Sequence, residues 1–132
     1  LVTLHVVLTR ETRGMLGIRE FKMMKPTAFI VNTSRGQAIK EAELVQALNE
    51  KIITAAALDV FEQEPLSMDN PLRQVDPLRL ILTPHNIGAN SGSAEAGQKM
   101  AAESMLAILD GKIPDTVVNP LAIPRWKERF CS

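Results

Sequence analysis

Three polar residues each stand shortly after a short apolar run. Arg35 follows Phe29-Ile-Val-Asn-Thr-Ser, Glu64 follows Ala55-Ala-Ala-Leu-Asp-Val-Phe-Glu-Gln, and His85 follows Leu80-Ile-Leu-Thr-Pro. A guanidinium is always charged and can fork two hydrogen bonds to a carboxylate. An imidazole titrates near neutrality and exchanges a proton readily. A carboxylate beside that ring favours its charged form. Gathered at one place, the three could hold an anionic substrate and move a proton. Taken singly, each has a plainer reading: a surface arginine before a turn glycine, a solvated loop charge, a hydrogen-bonded loop histidine.

Whether they meet depends on the elements that carry them. Leu1 to Leu8 is nearly continuous in apolar residues and predicts a strand buried on both faces. Thr9 to Gly14 is polar punctuation, and a short helix follows near Ile18 to Met24, ended by Pro26. Ala28 to Asn32 reads as a second strand and Lys40 to Asn49 as an amphipathic helix with Leu44, Val45 and Leu48 on one face. Ala55 to Leu58 is a third strand. Gln63 to Pro77 is loop, with one helical turn near Pro71 to Gln74, and Leu80 to Thr83 is a fourth strand. The longest helix is expected over Ala94 to Leu109. Met100, Ala101, Ser104, Met105, Ile108 and Leu109 form its stripe, and Gly111 stands just past its end. From Ile113 onward, Pro114, Pro120 and Pro124 predict an extended arm, with Trp126 and Phe130 as anchors.

Strands alternating with helices predict an α/β fold, a parallel sheet of about four strands with right-handed crossovers. In such a sheet ligands bind beyond the carboxyl ends of the strands. The three residues stand at those ends.

Bulk properties narrow the classes. Lys plus Arg and Asp plus Glu are 15 each, so no global field favours nucleic acid or an anionic membrane. No apolar run approaches the roughly 20 residues that span a bilayer. The lone cysteine, Cys131, permits no internal disulfide and suits a reducing cytoplasm. One cysteine and two distant histidines make no metal-ligand set. Ser34 has no nucleophile elbow around it. The chain opens inside an apolar run, and we expect it to be part of something longer, an excised piece or a truncated gene product.

The ordered segments Leu4-His-Val-Val-Leu-Thr-Arg-Glu-Thr-Arg-Gly14, Met24 to Gly36, Ala56 to Pro65, Asn70-Pro-Leu72 and Leu82-Thr-Pro-His85 resemble the D-isomer-specific 2-hydroxyacid dehydrogenases. The likeness runs from Leu1 to about Pro120. It implies that residues 1–90 are the second half of a Rossmann domain binding NAD or NADP. Residues 91–132 would be a C-terminal helix and arm returning toward a substrate domain. The implied reaction interconverts a D-2-hydroxy acid and its 2-keto acid; a homodimer is expected separately, because the apolar first strand invites pairing with another copy.

In that likeness Arg35 binds the substrate carboxylate, His85 is the acid/base, and Glu64 pairs with His85 and raises its pKa. Glu62 is the rival carboxylate, and family spacing favours Glu64, directly before Pro65. Asp59 matches a residue near the nicotinamide carboxamide or its ribose. Val6, Thr33, Ser34 and Gly88 match positions lining the cofactor, as do Arg35 and His85. Read without the likeness, these are a turn acid, core, turn and hinge residues. His5 reads as a structural histidine inside the first strand. Position 7 is Val where many relatives have proline.

None of the seven glycines falls in a Gly-x-Gly-x-x-Gly pattern. The turn and helix amino end that cradle a pyrophosphate are therefore not expected in this chain, and cofactor binding by it alone should be weak or nil. A rival reading follows: a folding module without catalysis that self-associates through an apolar edge strand.

Overall fold

The structure, a computed structural model, describes residues 1–88 and 91–130, so Cys131 lies outside the described residues. The chain divides into two compact units, Leu1–Ile87 and Gly88–Ser132.

The first unit is built on four parallel strands, β1 (Val2–Leu4), β2 (Phe29–Asn32), β3 (Ala55–Leu58) and β4 (Leu80–Leu82), side by side in that order. Their register sets Val2, Ile30, Ala56 and Leu80 in one row and Leu4, Asn32, Leu58 and Leu82 in another. These rows share a face, because side chains alternate along a strand. That face is covered by α1 (Ile18–Met23), α2 (Glu41–Asn49) and a 3-10 turn at Pro71–Gln74, which contribute Phe21, Leu44, Ala47, Leu48 and Leu72 to the core. The intervening row, Thr3, Val31, Ala57 and Ile81, faces the other way, and Ile81 is 63% exposed. Phe29, on that same outer face, is 48% exposed.

The first-turn N–H groups of both helices are met by carboxylates, as helix amino ends require. Glu20 Oε2 accepts from Gly17 N (3.0 Å), Glu43 Oε2 from Ile18 N (2.6 Å) and Glu62 Oε1 from Glu41 N (3.1 Å).

The expected strand over Leu1 to Leu8, buried on both faces, is corrected to three residues at the sheet edge. Leu1 and Val7 are 83% and 79% exposed. Beyond Leu4 a side chain takes over the backbone pairing: Thr12 Oγ1 donates to Val7 O (2.8 Å) and accepts from Thr9 N (2.7 Å). A local threonine bond of this kind competes with a sheet ladder. His5 accordingly lies outside the strand and is exposed, its Nε2 3.0 Å from Thr3 Oγ1.

The second unit opens with α3 (Ser91–Leu109). Gly111, at φ +68°, closes it: Gly111 N donates to Ile108 O (3.0 Å) and Lys112 N to Ala107 O (2.8 Å), the paired bonds of a Schellman ending. The anticipated apolar stripe is only partly the covered side. Ser104 and Ala107 are half-buried where the returning chain crosses, with Ser104 Oγ 2.8 Å from Thr116 Oγ1. Met100, Met105, Leu106, Ile108 and Leu109 are exposed.

The extended arm is corrected at its end, where a 3-10 turn (Pro120–Ala122) runs into α4 (Ile123–Phe130). Prolines read as breakers are helix starters here, because a first-turn N–H has no intrahelical partner to lose. Asn119 Oδ1 caps the turn from Leu121 N (3.1 Å). Trp126 then meets Phe130 at 6.0 Å between ring centroids.

Candidate active site at the strand ends

β2 ends in a polar residue, and polar residues directly follow β3 and β4; each of them shapes the next loop. Asn32 closes β2 and is fully buried. Its Oδ1 accepts from Ser34 N (3.1 Å) and Ser34 Oγ (2.9 Å), and its Nδ2 donates to Arg35 O (2.9 Å). The loop carrying Thr33, Ser34 and Arg35 is therefore wrapped around one amide. Gly36 follows, and a Cβ there would stand 1.9 Å from the Phe61 carbonyl carbon. Only glycine lets the loop after β2 lie directly against the loop after β3.

Two carboxylates of the loop after β3, Asp59 and Glu64, take different roles. Asp59, buried, accepts from Thr83 Oγ1 (2.6 Å) and Asn86 N (3.0 Å) at Oδ1, and from Ile87 N (3.1 Å) at Oδ2. Burial pushes its carboxyl up, but these three bonds and the nearby His85 charge outweigh burial and hold it below its ordinary 3.8. Glu64 Oε1 accepts from Phe61 N (3.0 Å), and its Oε2 lies 2.7 Å from His85 Nδ1. The His85 bond is the main reason the Glu64 carboxyl sits below its ordinary 4.5. Burial and the Asp59 charge oppose that shift, while the Phe61 N–H and the His85 charge add to it.

An ionised carboxylate can only accept, so the ring proton of this contact sits on Nδ1. That leaves Nε2 as the ring position open for exchange.

His85 stands at φ +52°, a left-handed backbone that costs a residue with a Cβ about 1–2 kcal/mol. The turn is held by Asp59 from inside and by His85 N donating to Thr83 O (3.0 Å). Strain sustained this way is a reason to look for function. The ring is half-exposed beside a cleft of about 310 Å³, walled by Phe61, Pro65, Leu66, Leu82 and Pro84, with Glu64, Arg73 and Thr83 as its other polar lining.

Glu64 and His85 are thus in contact. Arg35 stands on the neighbouring loop, exposed, with Nη1 donating to Ser34 O (2.6 Å), and among the described residues no carboxylate pairs with it. Val6, Thr33 and Ser34 are half-buried near the carboxyl ends of β1 and β2. Gly88 belongs to the second unit; its carbonyl accepts from Ser93 Oγ (2.8 Å), and a Cβ there would meet nothing within 4 Å among the described residues. Glu62 serves α2 instead of His85: besides capping Glu41 N, its own N–H donates to Glu41 Oε1.

Asn32, Gly36 and Arg73 were not singled out from sequence for these roles. Only Asn32 left a signal, an amide ending an apolar strand. Among the described residues there is no cluster of His, Cys, Asp and Glu suited to a metal ion, and no helix is long and apolar enough to cross a membrane.

Residues 1–86 match the family model described as the NAD binding domain of D-isomer specific 2-hydroxyacid dehydrogenases. A glyoxylate reductase of Aeropyrum pernix is 43% identical over 119 residues, covering 90% of this chain and 35% of that protein. A D-3-phosphoglycerate dehydrogenase of Methanocaldococcus jannaschii is 43% identical over 126 residues, 96% of this chain and 24% of the relative. Among solved structures, the TT0316 protein of Thermus thermophilus superposes with a TM-score of 0.81 at 35% identity, covering 89% of this chain and 37% of that one. A D-lactate dehydrogenase of Lactobacillus jensenii, solved with NAD+, gives 0.79 at 26% identity, covering 89% and 38%. The chain therefore spans about a third or less of the length of these relatives.

Proposed function

Because this chain belongs to the D-isomer specific 2-hydroxyacid dehydrogenase family, we propose that it carries the proton-handling half of an active site that interconverts a D-2-hydroxy acid and its 2-keto acid with NAD or NADP. The observation that carries this reading is the 2.7 Å contact of Glu64 Oε2 with His85 Nδ1 at the end of a parallel sheet. Glu64 stabilises positive charge on the ring. His85 Nε2 would give its proton to the C2 oxygen in reduction and take it back in oxidation. Arg35, with no carboxylate partner among the described residues, would grip the substrate carboxylate.

Bound nicotinamide would supply or accept the hydride. The residues present fit that end of a dinucleotide: Val6, Thr33 and Ser34 are half-buried near adjacent strand ends, while Gly88 is assigned to the cofactor by the family resemblance alone. Asp59 would contribute mainly through the turn it holds, with the spare acceptor position of Oδ2 left for the cofactor. The phosphate end has no glycine-rich turn here, so binding by this chain alone would be weak. We assign residues 1–90 to the cofactor domain and 91–132 to the returning helix and arm. The whole enzyme would be a cytoplasmic homodimer.

The test is NADH-dependent reduction of a 2-keto acid, with the D-hydroxy acid as product. His85→Asn should lower turnover by about 10²–10⁴-fold. Reduction undiminished in that variant would overturn the assignment.

The exposed β1 edge and the exposed Ile81 and Phe29 on the outer face of the sheet favour a second reading, a non-catalytic module that self-associates. Concentration-dependent sedimentation, together with a His85 ring signal unmoved by excess NADH and 2-keto acid, would select it.

A further inference from the structure

We propose that Arg73 makes the cleft beside His85 selective for 2-oxo acids carrying a second anionic group, with a terminal carboxylate on a short chain as the fitting class. This rests on the proposed function, since His85 must be the acid/base for the cleft to be the substrate's place.

The cleft's polar groups are mostly spent. Glu64 is engaged by Phe61 N and His85, and the Thr83 hydroxyl donates to Asp59. Two side chains of the lining keep donor capacity that an anion could use: His85 at its outer nitrogen and Arg73 at its guanidinium. Arg73 Nε donates to Ser67 O (2.9 Å) and Nη2 to Leu66 O (3.1 Å). One edge of the fork is thereby fixed to backbone carbonyls, and the end formed by Nη1 and Nη2 is left for a ligand. Among the described residues no carboxylate pairs with it.

A cation already held by two carbonyls loses little freedom when it binds, and that raises affinity for a matching anion. Arg73 is itself exposed, and the apolar residues Phe61, Leu66 and Leu82 line the cleft between it and His85. A volume of about 310 Å³ lies at the small end of ligand pockets, so it suits a short acid. Arg35, on the other loop, would take the carboxylate next to the reacting carbon. Arg73 would take the distant one.

The alternative is that Arg73 merely staples its loop, and the ratio of two affinities separates the two roles. The chain is titrated with pyruvate and with 2-oxoglutarate while the His85 ring and the Leu66 and Ser67 amides are followed by NMR. We expect the dianion to bind at least about tenfold more tightly. Arg73→Met should bring the ratio close to one. Arg73→Lys, which keeps charge without the fork, should leave an intermediate ratio and serves if the Met variant fails to fold. A ratio near one in the native chain, or a ratio unchanged in the variants, overturns the inference and leaves the proposed function standing. No response of His85 to either acid overturns both.

Discussion

Between Leu1 and Ile87, side chains such as Phe21, Ile30, Leu44 and Leu48 are sealed from water. From Gly88 to Phe130, none of the residues whose exposure is described is buried. The first unit is held by a shared core, and its polar loops are positioned by that packing. In the second, the helices are specified by local devices: the Gly111 ending, the Asn119 cap and prolines in first turns. Such devices fix where a helix starts and stops but contribute little to holding it together, since short helices without tertiary packing are marginal in water. A functional pair that needs sub-ångström placement therefore belongs in the first unit, and Glu64 and His85 are there.

The contrast can be tested by substitution. The largest effect should come from Phe21→Ala, which removes a fully buried ring and should cost about 3–5 kcal/mol in urea unfolding. Next is Gly36→Ala, where a methyl group meets the Phe61 backbone; a loss of about 1–3 kcal/mol or more is expected, together with displaced amide signals in both loops.

Asp59→Asn replaces an acceptor of three bonds with an amide that mismatches at least one of them. It should cost about 1–3 kcal/mol and release the left-handed turn at His85, visible in the Asn86 and Ile87 amide shifts. Glu64 supplies a smaller, pH-dependent effect. Its folded pKa is depressed, so its contribution is complete above the ordinary 4.5 and is lost as pH falls through the lower folded value. Glu64→Gln should flatten stability against pH in that acid window. Smallest of all, Leu109→Ala in the second unit, at an 81% exposed site, should change stability by no more than about 0.5 kcal/mol. A loss there equal to that of Phe21→Ala would end the distinction between the units.

What could be read from the chain follows the same division. β3, α2 and the turn at Pro71–Gln74 were legible because periodicity and proline act over a few residues. β1 was overestimated because the Thr12 side chain satisfies Val7 O, and no hydrophobic pattern encodes that. The exposed methionines and leucines of α3 show that periodicity tells which residues share a face but not whether anything covers it. Arg35, Glu64 and His85 were recognisable by type and by the family resemblance. The frame around them was not: Asn32, Gly36 and Arg73 act through partners in loops far along the chain.

The contact of Gly36 with the Phe61 carbonyl carries a mechanical consequence. Arg35 precedes that glycine, and the Phe61 N–H holds Glu64. With no side chain between them, the two loops rest backbone on backbone, as two parts seated on one shim. The span between the two loop backbones is then gauged by van der Waals radii, which no rotamer can alter. Variation around the site can change what the cleft accepts while leaving that span untouched.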